Sequence, residues 1–406
     1  MTLKSTILAL AVTVFGALSG ASAQCPFRND VPVSMLSAGF EAWKVVTDAM
    51  ATCGEFTADL DQEFEEKQAA AMGTNPPTYV MGGVSNGSLV PLLTQNIIRP
   101  LDDLVAEYGS DLPDNRKIVV DGQVLAVAMM VNSQHLMYRQ DVFEELGLGV
   151  PTTYDEVLAA AKAIQEAGVV DYPLGGTYMA GWNLGLEFIN MYLGLGGTLV
   201  NDDGSPAIDN ETGVAALERL RELSAYMNPE FLASDSTVVQ QQFQTGEIAM
   251  ANLWASRAGA MDNPEESQVV GQIAFAAAPA ARADGPPATT LWWDGMVVSK
   301  NATDEQAAAA FRLFLAGTDR AVLGAAPDAA IWLTEPRIES RIATGTLDSA
   351  AEGAPAYPAS AAVGIMHTAV GDSIAPFLSG EASAEAVLAD AETEYLAAAR
   401  EAGLVD

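Results

Sequence analysis

Few residues in this chain are typed and spaced for chemistry. Gly83-Val84-Ser85-Asn86-Gly87 matches the Gly-x-Ser-x-Gly pattern that places a nucleophilic serine on a sharp strand-to-helix turn. The pattern follows an apolar stretch that reads as a strand and precedes one that reads as a helix. A serine hydrolase also needs an acid and then a histidine later in the chain. Two histidines are present, His135 in a strand-like stretch and His367 among Ala, Gly and Val. With 35 glycines in 406 residues the pattern also arises by chance. Its other reading is a loop whose amides and small side chains face a ligand or cap the next helix. No carboxylate pair stands out among 53 acidic residues, because spacing across a site, not along the chain, defines such a pair. Asn201-Asp202-Asp203-Gly204 reads as a hairpin turn, since Leu199 stands where a calcium loop of that register needs its first Asp. The phosphate-loop and His-Glu-x-x-His patterns are absent. Two Cys and two His are too few for a Cys/His metal centre, and no metal or cofactor is expected.

The stronger constellation is aromatic. Trp43, Tyr178, Trp182, Trp254 and the pair Trp292-Trp293, followed by Asp294-Gly295, stand beside small polar residues at loop-like positions. A sugar offers C–H faces and a ring of hydroxyls, so a site for it needs flat aromatic surfaces and Asp, Glu, Asn or Gln side chains. Neighbours in a strand point to opposite faces, so one of Trp292 and Trp293 faces a cleft or solvent. Trp43 and Trp332 read more readily as core.

The elements that would position these residues alternate. Val31–Leu36, Phe56–Leu60 and Thr78–Met81 read as strands, with helices at Phe40–Ala51 and Phe64–Met72, and Gly82-Gly83 reads as a break before a helix from Leu89. That order predicts an α/β fold with a parallel sheet. Tyr154–Ala167 is amphipathic, with Thr153 as N-cap and Glu156 placed for a capping box. Leu184–Leu195 is apolar on nearly every side and reads as buried. A long Ala/Glu helix runs from Ser383. No Pro/Ser/Gly-rich linker divides the chain, so two lobes would have to share it discontinuously.

Half of the residues are hydrophobic, and 19 Lys+Arg stand against 53 Asp+Glu, a net charge of −34. That excludes disorder and argues against nucleic acid and anionic membrane surfaces. Residues 1–23 read as a cleaved secretory leader: Lys4, the apolar run Ile7–Leu18, and Ala21-Ser22-Ala23 as cleavage site. No later stretch reads as a membrane span. Cys25 follows the cleavage site, but Gln24 precedes it where a lipoprotein has a small residue. In an exported chain with two cysteines the expectation is a Cys25–Cys53 disulfide rather than a lipid anchor, and a periplasmic location.

Six segments in order resemble one family. They are Pro100-Leu101-Asp102-Asp103-Leu104; Asp121-Gly122-Gln123 through Met137-Tyr138-Arg139-Gln140-Asp141; Phe143–Leu148 with Pro151–Glu156; Gly196-Gly197-Thr198-Leu199; Phe243–Met250; and Gly295–Asn301. Together they resemble the solute-binding proteins of bacterial ABC importers, in the sugar-binding branch that includes maltose-binding protein. Tyr154 replaces a usual Trp, and Ala126-Val127-Ala128-Met129 lacks a usual Pro.

The resemblance implies a two-lobed periplasmic-binding-protein fold of type II, with a ligand cleft between lobes joined by hinge crossings. The first lobe would comprise 24–132 and 280–318, the second 133–279 and 319–406. It implies ligand-binding residues Glu41, Ser85, Asn86 and Asn132 from the first lobe, and Tyr178, Trp182, Asn183 and Trp254 from the second. Trp292, Trp293 and Asp294 follow on the return. The implied partners are a carbohydrate and the permease subunits of an ABC transporter, with the protein itself a monomer. Few cations stand in these loops, which favours an uncharged sugar or polyol; Arg257, the nearest, would favour an acidic ligand if it faced the cleft.

Overall fold

The computed structural model describes residues 25–61, 63–120 and 122–405. The expected leader and Asp121 of the expected turn lie outside the described residues. The strands are β1 (Asn29–Ser37), β2 (Gly54–Leu60), β3 (Met81–Ser85), β4 (Lys117–Val120), β5 (Gln123–Asn132), β6 (Gln134–Arg139), β7 (Tyr172–Gly175), β8 (Ile248–Trp254), β9 (Ile273–Ala276), β10 (Trp292–Val298) and β11 (Ile331–Trp332). They build two sheets. The first has the order β11-β5-β10-β3-β1-β2 with β4 on β5, and the second β7-β8-β6-β9. Each sheet with its helices makes one lobe of a two-lobed α/β fold.

The opening β-α-β-α-β segment is the parallel unit the pattern predicts: β1 lies parallel to β2 and to β3. Helix α1 (Glu41–Ala51) buries Trp43, Val46 and Met50, the stripe that a 3.6-residue period places on one face. Helix α2 (Phe64–Gly73) leads to β3, which begins three residues later than Thr78. Gly82 and Gly83 sit inside β3 and do not end it. A Cβ on Gly83 would lie 2.1 Å from the Ser37 hydroxyl and 2.7 Å from the Trp43 ring, so the glycine permits close packing of sheet on helix. Helix α3 (Asn86–Thr94) follows at once.

Later expectations hold locally. Thr153 caps the helix Tyr154–Ala167 by accepting from the Glu156 amide, while the Glu156 carboxylate reaches past it to the Thr152 amide and hydroxyl. The helix Trp182–Gly194 is buried along nearly all its length. Ser383 caps the helix Ala384–Glu401. The disulfide between Cys25 and Cys53 is present and ties the start of the described chain to the end of α1. Closing that loop stabilises by about 3 kcal/mol in the chain-entropy account.

The chain passes from the first sheet to the second at Asn132–Gln134. Two lobe boundaries differ from expectation. Residues 280–288, expected in the first lobe, stay with the second: Ala281 and Ala288 pack in its core against Gly194. Residues 319–332, expected in the second lobe, belong to the first. Leu323 lies in its core, and β11 pairs with the far edge of β5. Both segments are small and Ala-rich, so their lobe is set by the cavity they fill and not by their own pattern. The span 361–378 is long and apolar enough to cross a membrane by length and composition. Here it is two helices, Ala361–Ser373 and Ala375–Leu378, with Val363, Met366, Val370 and Phe377 in the core of the second lobe.

Candidate functional site

The aromatic residues converge between the lobes. Trp292, at the start of β10, comes from the first sheet. Trp254, at the end of β8, Trp182, at the start of its helix, and Tyr357 come from the second lobe. The Trp182 and Trp254 rings stack with centroids 6.4 Å apart. Trp292 stands edge-on to both, at 5.7 Å from each. Tyr357 lies 4.2 Å from Trp292, and the His367 ring stacks with Trp182 at 5.0 Å. Trp182 keeps 39 % of its surface exposed, so its ring is available to a ligand. Asn183 is half-buried beside it.

Trp293 takes the opposite face of the strand and packs with Leu89, Leu92 and Val297 in the layer under α3. The alternation of β10 thus turns Trp292 toward the other cleft aromatics and the half-buried Trp293 to the opposite face of the sheet, whereas both were expected at the ligand. Tyr178 is a second correction. It is buried, with its hydroxyl 3.5 Å from the Leu220 carbonyl and its ring edge-on to Phe231. It lines a separate internal cavity of about 30 Å³ with Tyr154, Glu187 and Asn252. The neighbouring Thr177 is buried as well and donates to Glu187.

Asp294 pairs with Ser85 across β10 and β3 and is buried. Burial pushes its carboxyl up to about 7, nearby Glu65 adds to the rise, and a hydrogen bond from Trp43 opposes it. Glu65, on α2, is open to cleft water yet enclosed by protein on most sides; that enclosure raises its carboxyl to about 7. Ser85 and Ser88 form the capping box of α3: the Ser85 amide donates to the Ser88 hydroxyl at 2.9 Å and the Ser88 amide to the Ser85 hydroxyl at 3.3 Å. Asn86 is buried, donates to the Leu291 carbonyl at 3.4 Å, and leaves its Oδ1 without a partner. Asn132 is engaged at the hinge, where it donates to the Ser256 hydroxyl at 3.1 Å and accepts from the Ser256 amide. Glu41 is exposed on the first turn of α1, 3.9 Å from Lys44.

Neither histidine stands ready as a base for Ser85. His367 has one nitrogen 2.8 Å from the Tyr357 hydroxyl and the other 2.8 Å from the Trp182 carbonyl, and burial lowers its pKa to about 4. His135 is fully buried, edge-on to Phe275, and is lowered likewise to about 4. Arg257 donates to the Ser236 hydroxyl at 3.3 Å and faces Asp235 at the start of the helix Ser236–Gln244.

A cavity of about 390 Å³ opens from Trp182, Tyr357 and His367 and runs outward between α3 and the helix Ala361–Ser373. Glu65 is its one acidic lining residue, and among the described residues no lysine or arginine lines it. The size falls in the range of small-molecule pockets. Among the described residues no group of three or more His, Cys, Asp or Glu is placed to hold a metal.

Sequence reasoning did not place Glu65, Tyr357 or His367 at the cleft: Glu65 read as one more charge on a helix, His367 was weighed only as a base, and the stretch around Tyr357 carries no helix or strand pattern. The available signal for Tyr357 was an aromatic flanked by Pro355 and Pro358, where no helix or strand would bury it. It also missed a buried polar chain behind Trp292. The Trp292 indole N–H donates to the Thr290 hydroxyl, which donates to Asn190 Oδ1, both at 2.9 Å. The Asn190 amide donates to Gln134 Oε1 at 2.8 Å, and the Gln134 amide donates to Glu187 at 2.9 Å. Thr289 closes the link by donating to the Gln134 carbonyl at 2.7 Å. Every donor points toward Glu187, so an acceptor at that end orients the whole chain. Gln134 lies on one crossing and Thr289-Thr290 on the next, so the hinge and the cleft aromatic share one network.

A family model for the bacterial extracellular solute-binding proteins matches residues 57–319. A probable ABC transporter-binding protein of Deinococcus radiodurans is 24% identical over 286 residues, which cover 66% of each chain. The match therefore spans just under two thirds of that relative's length. Among solved structures, an ABC transporter solute-binding protein from Agrobacterium radiobacter K84 in complex with ribitol superposes with a TM-score of 0.79 at 19% identity, covering 91% of this chain and 99% of the other. A maltose-bound protein of T. maritima gives 0.71 at 17% identity, covering 90% and 99%. At such identities the likeness is one of fold, and it matches the two-lobed architecture. By the family match, the chain belongs to the bacterial extracellular solute-binding proteins.

Proposed function

We propose that this protein captures a sugar or polyol between its lobes and delivers it to the permease of an ABC importer. The observation that carries the reading is the meeting of Trp292 from one lobe with Trp182, Trp254 and Tyr357 from the other, beside the carboxyls of Asp294 and Glu65. Aromatic faces suit the C–H faces of a polyhydroxylated ligand, and carboxyls suit its hydroxyls. A ligand touching both walls favours the closed arrangement by its added contacts there. The solved relatives named above hold ribitol and maltose, ligands of this class. The protein acts after export to the periplasm, as a monomer, by binding alone. The absence of lysine and arginine from the cavity wall favours an uncharged ligand over an acidic one. The hydrolase reading loses its ground because the Ser85 hydroxyl is taken up in capping α3.

The test is a thermal-shift and tryptophan-fluorescence screen against free sugars, polyols and glycosides. At least one ligand is expected to raise the melting temperature and change the emission together. A panel in which nothing moves either signal refutes sugar capture, and ester turnover abolished by Ser85→Ala would restore the hydrolase.

A further inference from the structure

The geometry points to a two-part ligand: a hydroxylated ring or chain held at the aromatic end of the cleft, bearing an apolar substituent that extends between α3 and the helix Ala361–Ser373. This rests on the sugar-capture reading and says what the ligand carries beyond the sugar. The two ends of the 390 Å³ cavity differ in chemistry. The inner end has Glu65, the buried Gln68 one turn on, the Ser88 hydroxyl and the rings of Trp182 and Tyr357. The outer end runs along α3 from Gly87 to Thr94, about 10 Å at the helical rise per residue. Its walls are Val90 and Pro91 on one side, Gly364 and Ile365 on the other, with Ala402 and Leu404 at the mouth.

A second sugar ring would fit that length, so polarity decides between the occupants. Each ring hydroxyl taken out of water needs a partner, and an unpartnered one costs more than the contact returns. The outer walls hold no charged group and no side-chain amide. Their two threonines already donate to their own helices, Thr94 to the Pro91 carbonyl at 3.1 Å and Thr368 to the Gly364 carbonyl at 3.3 Å. Ser360 accepts from the Val363 amide as the cap of its helix. An aryl or alkyl group needs none of these bonds and gains from leaving water. The half-buried side chains of Val90 and Ile365 present surface for it on both lobes. The chemical class is therefore a glycoside or polyol ether with an apolar aglycone.

The experiment is calorimetric titration of the purified protein with matched methyl and phenyl glycosides of glucose, galactose, mannose and xylose, with maltose and cellobiose alongside. For the sugar that binds, the phenyl glycoside is expected to bind at least about tenfold tighter than the methyl glycoside. Ile365→Asp and, independently, Val90→Asp should bring that ratio close to one. Melting curves identify any variant that fails to fold, and the other then supplies the reading. Equal affinities for the methyl and phenyl compounds overturn the inference while leaving sugar capture standing, and so does a disaccharide that binds tighter than the phenyl glycoside. Failure of every glycoside, free sugar and polyol to bind overturns both.

Discussion

Replacing Thr290 by Val tests whether the polar chain behind Trp292 holds the cleft aromatic in place. The Thr290 hydroxyl makes two bonds at 2.9 Å, accepting from the Trp292 indole and donating to Asn190. Valine keeps the shape and removes both. Trp292, Thr290 and Asn190 are all buried, so no water replaces the lost partner. One donor and one acceptor are left unsatisfied, at about 1–3 kcal/mol each. Allowing for partial relaxation, the expected loss is about 2–4 kcal/mol. Thr290→Ser keeps the hydroxyl and gives up one methyl, so it should cost about 1 kcal/mol or less. The assay is urea denaturation followed by tryptophan emission and far-ultraviolet circular dichroism, with coincident transitions required before a free energy is taken. A valine variant within about 0.5 kcal/mol of the parent, or a serine variant as damaged as the valine one, refutes the reasoning. The first would show that the bonds carry no net stability, and the second that volume and not the hydroxyl matters.

Two further outcomes follow from the site. Trp182→Ala should weaken the sugar found by screening at least about thirtyfold, a hot-spot loss near 2 kcal/mol, whereas Tyr178→Phe should change it by less than about threefold; titration calorimetry decides, and the reverse order would refute the placement of both residues. The raised carboxyl of Asp294 gives a pH signature. As pH rises above about 4 the unfolded chain releases this proton while the folded one holds it until about 7, so the folded state binds more protons and stability falls across that window. Asp294→Asn removes this contribution, so the variant should gain on the parent between pH 4 and 7, by up to a few kcal/mol, and hold that lead above. The depressed His135 and His367 stabilise with rising pH over the same range in both proteins and cancel in the difference. Melting temperatures at pH 4, 5.5, 7 and 8 check it, and a pH-independent gap refutes it.

Much of the fold was legible because it depends on local periodicity. The stripe of Trp43, Val46 and Met50, the caps at Thr153 and Ser383, and the leading β-α-β unit are written in near neighbours. Gly82-Gly83 misled, since a glycine that permits close approach looks the same in sequence as one that ends a strand. The site was legible in part. A Trp pair on a strand announces that its members part company, and which one meets the cleft depends on what covers each face of the sheet.

By itself the sequence determined the class: an acidic α/β chain, a disulfide from its two cysteines, and a handful of tryptophans suited to a polyhydroxylated ligand. These follow from composition and short-range spacing, and the two lobes from the resemblance carried by six ordered segments. Tertiary structure alone decided that Trp292 and not Trp293 meets Trp182 and Trp254, and that Tyr178 turns into the core. It also brought Glu65, Tyr357 and His367 to the cleft from positions far apart in the chain, and it gave residues 319–332 to the first lobe through the pairing of β11 with β5. The physical reason is common to all of these. Side chains join a site through the packing of one element against another, and the contact between lobes is made by residues whose own neighbours carry no trace of it.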